Sequence, residues 1–223
     1  MTTEKINAFI LGTLVGDALG LPANGRNHSF IRMYFKGIKG YTHEYYGTAT
    51  ATGLRAGQNS REVIPLLTSL PAEANERLLK WIDMFFDASV DAKKLLTHFF
   101  QALAAENSET LQPRKIIDAI FPETIEREKI ISALDFFPAD MTEVFNEMMT
   151  ERDAVLFAIT MALRQSQDFE TTVLSAINMG GLTSLIGAIT GGALALLHGK
   201  ETVPQSFIDG LEHREEILAA LQV

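Results

Sequence analysis

The sequence predicts an all-α fold. Apolar residues recur at helical spacing along almost the whole chain. No run alternates with period two between hairpin turns, so nothing argues for a sheet. The helical segments follow one another through short links without internal repeat, which points to one all-α domain of about ten helices over residues 1–223.

Taken in order, Ile6, Phe9, Ile10, Thr13 and Leu14 form one face of a first helix that ends near Gly16 and Gly20. Residues 21–59 are rich in Gly, Thr and Tyr and carry no clear period, so they read as a long loop of the kind that borders functional sites. Ser60, ahead of "REVIPLLTSL", is placed to cap a short helix. "AEANERLLKWIDMFFDA" and "SVDAKKLLTHFFQALAAE" give two more, the second with Ser89 as N-cap and Asp91 in its first turn. "PRKIIDAIF", "PETIEREKIISALDFF" and "ADMTEVFNEMM" follow, each opened or closed by proline. The last candidates are "ERDAVLFAITMALRQ", the pair "FETTVLSAINM" and "GLTSLIGAITGGALALLHG", and "VPQSFIDGLEHREEILAAL".

The totals narrow the function classes. A net charge of −9 argues against non-specific binding to nucleic acid or to anionic membranes, since both depend on neutralising phosphates. Without cysteine there are no disulfides, thiolate metal sites or cysteine nucleophiles, and a cytoplasmic setting is expected. The opening "MTTEKINAFILGTLVGDALG" lacks a basic region and is interrupted by Asp17, so it reads as an amphipathic helix and not as a signal peptide. Between Met179 and Gly199 the uncharged length would suffice to span a bilayer, and Gly187 and Gly191 form a G-x-x-x-G pair. Thr183, Ser184, Thr190 and His198 are spread through it, however, and amphipathic helices surround it. It reads as a central core helix.

Three stretches in order resemble the ADP-ribosylglycohydrolase family, which includes the dinitrogenase reductase-activating glycohydrolases. "FILGTLVGDALGLPANG" is similar to the family's G-x-x-x-G-D-A-x-G-x-P-x-E. "AGQNSREVIPLL" stands where the family has G-x-x-T-D-D-T before a helix. "AINMGGLTSLIGAITGGALALLHGKETVP" is similar to A-x-N-x-G-G-D-T-D-T and the small-residue helix after it. The trailing "LEHREEI" looks like the family's last helix. The resemblance implies an orthogonal multi-helix bundle with a cleft holding two divalent cations, usually Mg²⁺, that bind ADP-ribose and help release it by hydrolysis. Two such ions roughly 4 Å apart require oxygen ligands, several of them carboxylates.

This chain departs from the pattern where those ligands belong. Asn24 replaces the glutamate of the first motif. Leu182 and Ser184 replace both aspartates of the third, with Thr183 kept between them. Ser60, Arg61, Glu62 and Val63 stand against T-D-D-T, so Glu62 alone keeps a carboxylate and Arg61 brings a cation. No metal ligand set is expected, and no cofactor, because a hard cation gives up water only for strong oxygen donors.

The remaining candidates keep two readings each. Asp17 is a candidate catalytic acid beside Glu62, or a brace for the glycine-rich turn. Gly180 and Gly181 could cradle a phosphate at a helix start, or form the turn between packed helices. Asn178 sits at that junction, as ligand contact or structural cap. Arg61 with Glu62 is a substituted ligand site or a solvated pair. Tyr41, His43, Tyr45 and Tyr46 either stack on a base or close the loop over the core. His98, His198 and His213 fall on separate helices without partner spacing.

The expectation is therefore a catalytically inactive relative that binds ADP-ribose, another nucleotide-like ligand or a protein through the old cleft. Asn24, Ser60, Arg61, Asn178, Gly180, Gly181, Thr183 and Ser184 are the candidate contacts. The alternative is an active hydrolase built on Glu62 and Asp17 with one metal or none. A third reading is a structural or assembly subunit whose cleft is filled by Leu182 and the loop aromatics.

Overall fold

The computed structural model describes residues 1–42, 54–121, 124–164 and 168–222. Among them are thirteen α-helices and a single pair of two-residue strands. His43, Tyr45 and Tyr46 lie outside the described residues.

Two central helices organise the molecule. The first, α1 (Thr3–Gly20), is capped by the Thr2 side chain and buried from Ile6 to its end. It runs on through Gly16 to Gly20, because its glycines are contact points and not stops. The second of the pair, α11 (Thr183–His198), lies antiparallel to it. Gly12 meets Gly191, Gly16 meets Gly187 and Gly20 meets Thr183, so closely that an added Cβ on Gly16 would overlap the Gly187 carbonyl. Such backbone approach is open only to residues without a side chain. By length and composition Thr3–Ala23 would suffice to cross a membrane, yet 94% of that window is covered by the rest of the fold. With α11 likewise buried, neighbours cover nearly all the faces of both, so α1 is not the amphipathic helix its sequence suggests.

The remaining helices pack around this pair: α2 (His28–Tyr34), α3 (Val63–Thr68), α4 (Ala74–Phe85), α5 (Val90–Ala104), α6 (Pro113–Ile120), α7 (Ile125–Ala133), α8 (Met141–Val144), α9 (Glu151–Leu163), α10 (Phe169–Asn178), α12 (Gln205–Asp209) and α13 (Arg214–Leu221). Helices α9, α10 and α5 rest against α11. In α4, Leu78, Trp81, Ile82 and Phe85 fall at i, i+3, i+4 and i+7, which buries one stripe. Ser89 caps α5 by accepting from the Ala92 N–H, with Asp91 in the first turn, as the sequence predicts.

Four local expectations are corrected. The stretch read as a long loop contains α2, whose N-cap is Asn27, accepting from Phe30 N–H at 2.9 Å. The short run hides its period because it buries only Ile31. Ser60 does not cap α3; Glu62 stands at that N-cap position. The terminal helix is two, because His213 adopts φ of +58° and turns the chain between α12 and α13. Finally, strand β1 (Arg26–Asn27) pairs antiparallel with β2 (Gly180–Gly181).

Candidate functional site

The first and third motifs meet because α1 and α11 are packed glycine to glycine. Asp17, near the end of α1, is 1% exposed. Its Oδ2 accepts from the Ser60 N–H at 2.7 Å and from Asn59 Nδ2 at 3.1 Å, while Oδ1 accepts from the Ser184 hydroxyl. One carboxylate thus ties α1 to the segment ahead of α3 and to the first turn of α11. Burial pushes its pKa above the ordinary aspartate value, and the donors around it pull the other way without cancelling the effect. Asn59 also donates to the Leu14 carbonyl at 2.7 Å, and Asn24 accepts from the Ser184 N–H at 3.2 Å.

Beside this network opens a cavity of about 540 Å³ lined by Asp17, Asn24, Ser60, Arg61, Leu182 and Ser184 from the motifs. Phe85, Phe86 and Asp87, at the end of α4, with Leu185 and Ala188 of α11 complete the lining. Arg61 pairs with Asp87 at 3.0 Å and not with Glu62; its side chain is 36% exposed and that of Asp87 95%. Asn24, Ser60, Arg61, Leu182 and Ser184, five of the departures from the family pattern, line this one cavity, whereas Val63 lines the neighbouring one.

Other candidates are placed elsewhere. Glu62 lines a neighbouring cavity of about 600 Å³ with Arg55, Glu212, His213 and Glu216, sharing only Ser60 and Arg61 with the first. Thr183 is fully buried and donates to the Gly20 carbonyl at 2.6 Å. Asn178 accepts from Ile38 N–H at 2.6 Å and donates to the Ile38 and Leu174 carbonyls, tying the chain after α2 to α10. Gly180 and Gly181 adopt φ of +87° and +80° and pair with β1. A Cβ at either would strike backbone, at Arg26 and Met148 respectively. Neither lines the Asp17 cavity. Tyr41 packs edge-on against Phe207, and burial pushes its hydroxyl pKa up. A larger cavity of about 690 Å³ lies along α10, lined by Phe137, Phe169, Leu174 and Met179 among others. Of the candidate contact residues it touches Asn178 alone, and its Asp168 is engaged in capping α10.

Asp87, Phe85, Phe86 and Asn59 are cavity or network residues that sequence reasoning missed. Phe85 closes α4 and Phe86 and Asp87 follow it, all remote from every motif, so no signal marks them. Asn59 had its neighbour Ser60 as a pointer only.

The donor set does not match a dinuclear metal centre. The cavity offers two hydroxyls, an amide, a fully engaged Asp17 carboxylate and an exposed Asp87 carboxylate already facing a guanidinium. Among the described residues no three His, Asp or Glu side chains converge as a metal-binding group.

A family model described as ADP-ribosylglycohydrolase matches residues 72–222. The chain belongs to the ADP-ribosylglycohydrolase family. The match takes in the third motif and leaves the first two outside. A solved structure described as an "ADP-ribosylglycohydrolase-related protein complex" is similar over 98% of this chain and 96% of that one, with 16% identity and a TM-score of 0.50, a likeness of fold. No curated protein matches the sequence. Within the ADP-ribosylglycohydrolase fold, the all-α architecture and the facing of the first and third motifs follow from the α1–α11 packing described above.

Proposed function

We propose that this ADP-ribosylglycohydrolase relative is catalytically inactive and binds ADP-ribose or another nucleotide-like ligand in the Asp17 cavity, without a metal pair. The observation that carries the reading is the cavity itself. Its roughly 540 Å³ falls within the range of small-molecule sites, and it joins an apolar wall of Phe85, Phe86, Leu182 and Leu185 to polar groups at Asn24, Ser60, Arg61 and Ser184. A guanidinium at the old ligand position suits a phosphate directly, in the role a cation would otherwise fill. Asp87 holds Arg61 in place and yields it to a stronger anion.

Hydrolysis built on Glu62 and Asp17 has less support. Glu62 lies along the adjoining cavity, and both Asp17 oxygens already accept hydrogen bonds. A scaffold with a filled cleft fits poorly with a cavity that Leu182 borders without closing.

Calorimetric titration of ADP-ribose tests the reading. Micromolar binding equal in Mg²⁺ and in chelator, and weakened at least tenfold by Arg61→Ala, is the expected result. Mg²⁺-dependent binding with release of ADP-ribose from a modified side chain would overturn it.

A further inference from the structure

Between Asp17 and Glu44 the chain has no acidic residue, yet it carries Arg26, Arg32, Lys36 and Lys39, in a protein whose net charge is −9. The fold gathers these cations on one feature: Arg26 in β1, Arg32 in the last turn of α2, and Lys36 and Lys39 in the turns that follow. Arg32, Lys36 and Lys39 are exposed, and none forms an ion pair among the described residues. On the same helix Met33 is 71% exposed and Tyr34 54%. We propose that the β1–α2 segment is a docking surface for an acidic stretch of a partner protein.

Charge complementarity and extent choose the partner. Helix α2 has seven residues, so it is roughly 10 Å long, and the turns to Lys39 extend it modestly. That matches an extended acidic segment of about five residues at roughly 3.3 Å each. A long polyanion would also meet the acidic remainder of the molecule, whereas a short segment within a Debye length of roughly 8 Å feels mainly the patch. Base stacking has little to use here. The Phe30 ring is already taken up by the Arg26 guanidinium, 4.7 Å from its centroid, and by Tyr34, centroids 4.3 Å apart. The helix dipole accounts for a cation in its last turn, but not for those at Arg26 and Lys39.

This surface does not depend on a ligand in the cavity, and its test uses none. Fluorescence anisotropy would follow a labelled peptide with five consecutive glutamates, its glutamine counterpart and a ten-residue oligothymidylate against the whole protein at about 0.15 M salt. The acidic peptide is expected to bind with a Kd of about 10–100 μM, at least tenfold better than its counterpart and better than the oligonucleotide. R32E/K36E/K39E is expected to remove that binding, and R32Q/K36Q/K39Q, which keeps the test should charge reversal perturb folding, to weaken it several-fold. Peptide binding that both variants retain, tighter binding of the oligonucleotide, or no peptide binding would overturn the proposal. So would self-association through this face, seen by sedimentation as a dimer that R32Q/K36Q/K39Q abolishes, without peptide binding.

Discussion

Asp17 concentrates much of the cavity's physics in one side chain. Replacing it with alanine strands the Ser60 N–H and the Asn59 and Ser184 donors, and leaving buried donors unmet costs on the order of 1–3 kcal/mol. D17A should lose about that much in urea denaturation. The pH dependence has a definite sign. A raised folded pKa means the native state keeps its proton after the unfolded chain, at 3.8, has lost it, so stability falls as pH rises above 3.8 towards the folded value. D17N should flatten that fall, and denaturation at pH 4, 5, 6 and 7 would read it. A wild-type stability that rises relative to D17N through that window would contradict the assignment. At the mouth, Asp87 is too exposed for its pair with Arg61 to contribute more than about 1 kcal/mol. D87N should therefore strengthen ADP-ribose binding by no more than about fivefold, and a weaker titration would show Asp87 to be a ligand contact. That 24, 182 and 184 lack carboxylates where the family's motifs have them was legible from the resemblance. That Arg61 faces Asp87 was not, because 26 positions separate them and only the end of α4 brings them together.

At the scale of elements, the α1–α11 contact should be the least tolerant part of the fold. Gly16→Ala and Gly187→Ala each drive a methyl group into a backbone carbonyl, which no rotamer can relieve. Each should cost about 3 kcal/mol or more, towards the upper end of overpacking penalties. Gly40→Ala, with nothing within 4 Å of its added Cβ, should be neutral within about 0.5 kcal/mol. Thermal melts of the three variants would check this, and equal effects at positions 16 and 40 would show that the two helices can move apart. Helix existence was readable wherever an apolar stripe was long, as in α4 and α5. It failed at α2, which is short and buries little, and at the α12–α13 break, where a left-handed His213 carries no sequence signature.

For the molecule as a whole, a fold held by apolar packing and by Asp17's hydrogen bonds should not need divalent ions. Dialysis against chelator is expected to leave the melting temperature unchanged, whereas ADP-ribose at about 100 times its Kd should add about 2.7 kcal/mol of stability. A melt lowered by chelator would place a structural ion in the protein. The sequence by itself determined the all-α class and the glycine positions of the two central helices, because periodicity and spacing are local properties, and its resemblance to the family's motifs pointed to the residues that stand where carboxylates are expected. Only the tertiary structure shows that both Asp17 oxygens accept hydrogen bonds, that Thr183, Asn178 and the Gly180–Gly181 pair are bound up in packing, and that Glu62 borders a different cavity. Those facts depend on which surfaces meet, and distant segments meet where burial and the reach of a glycine backbone allow.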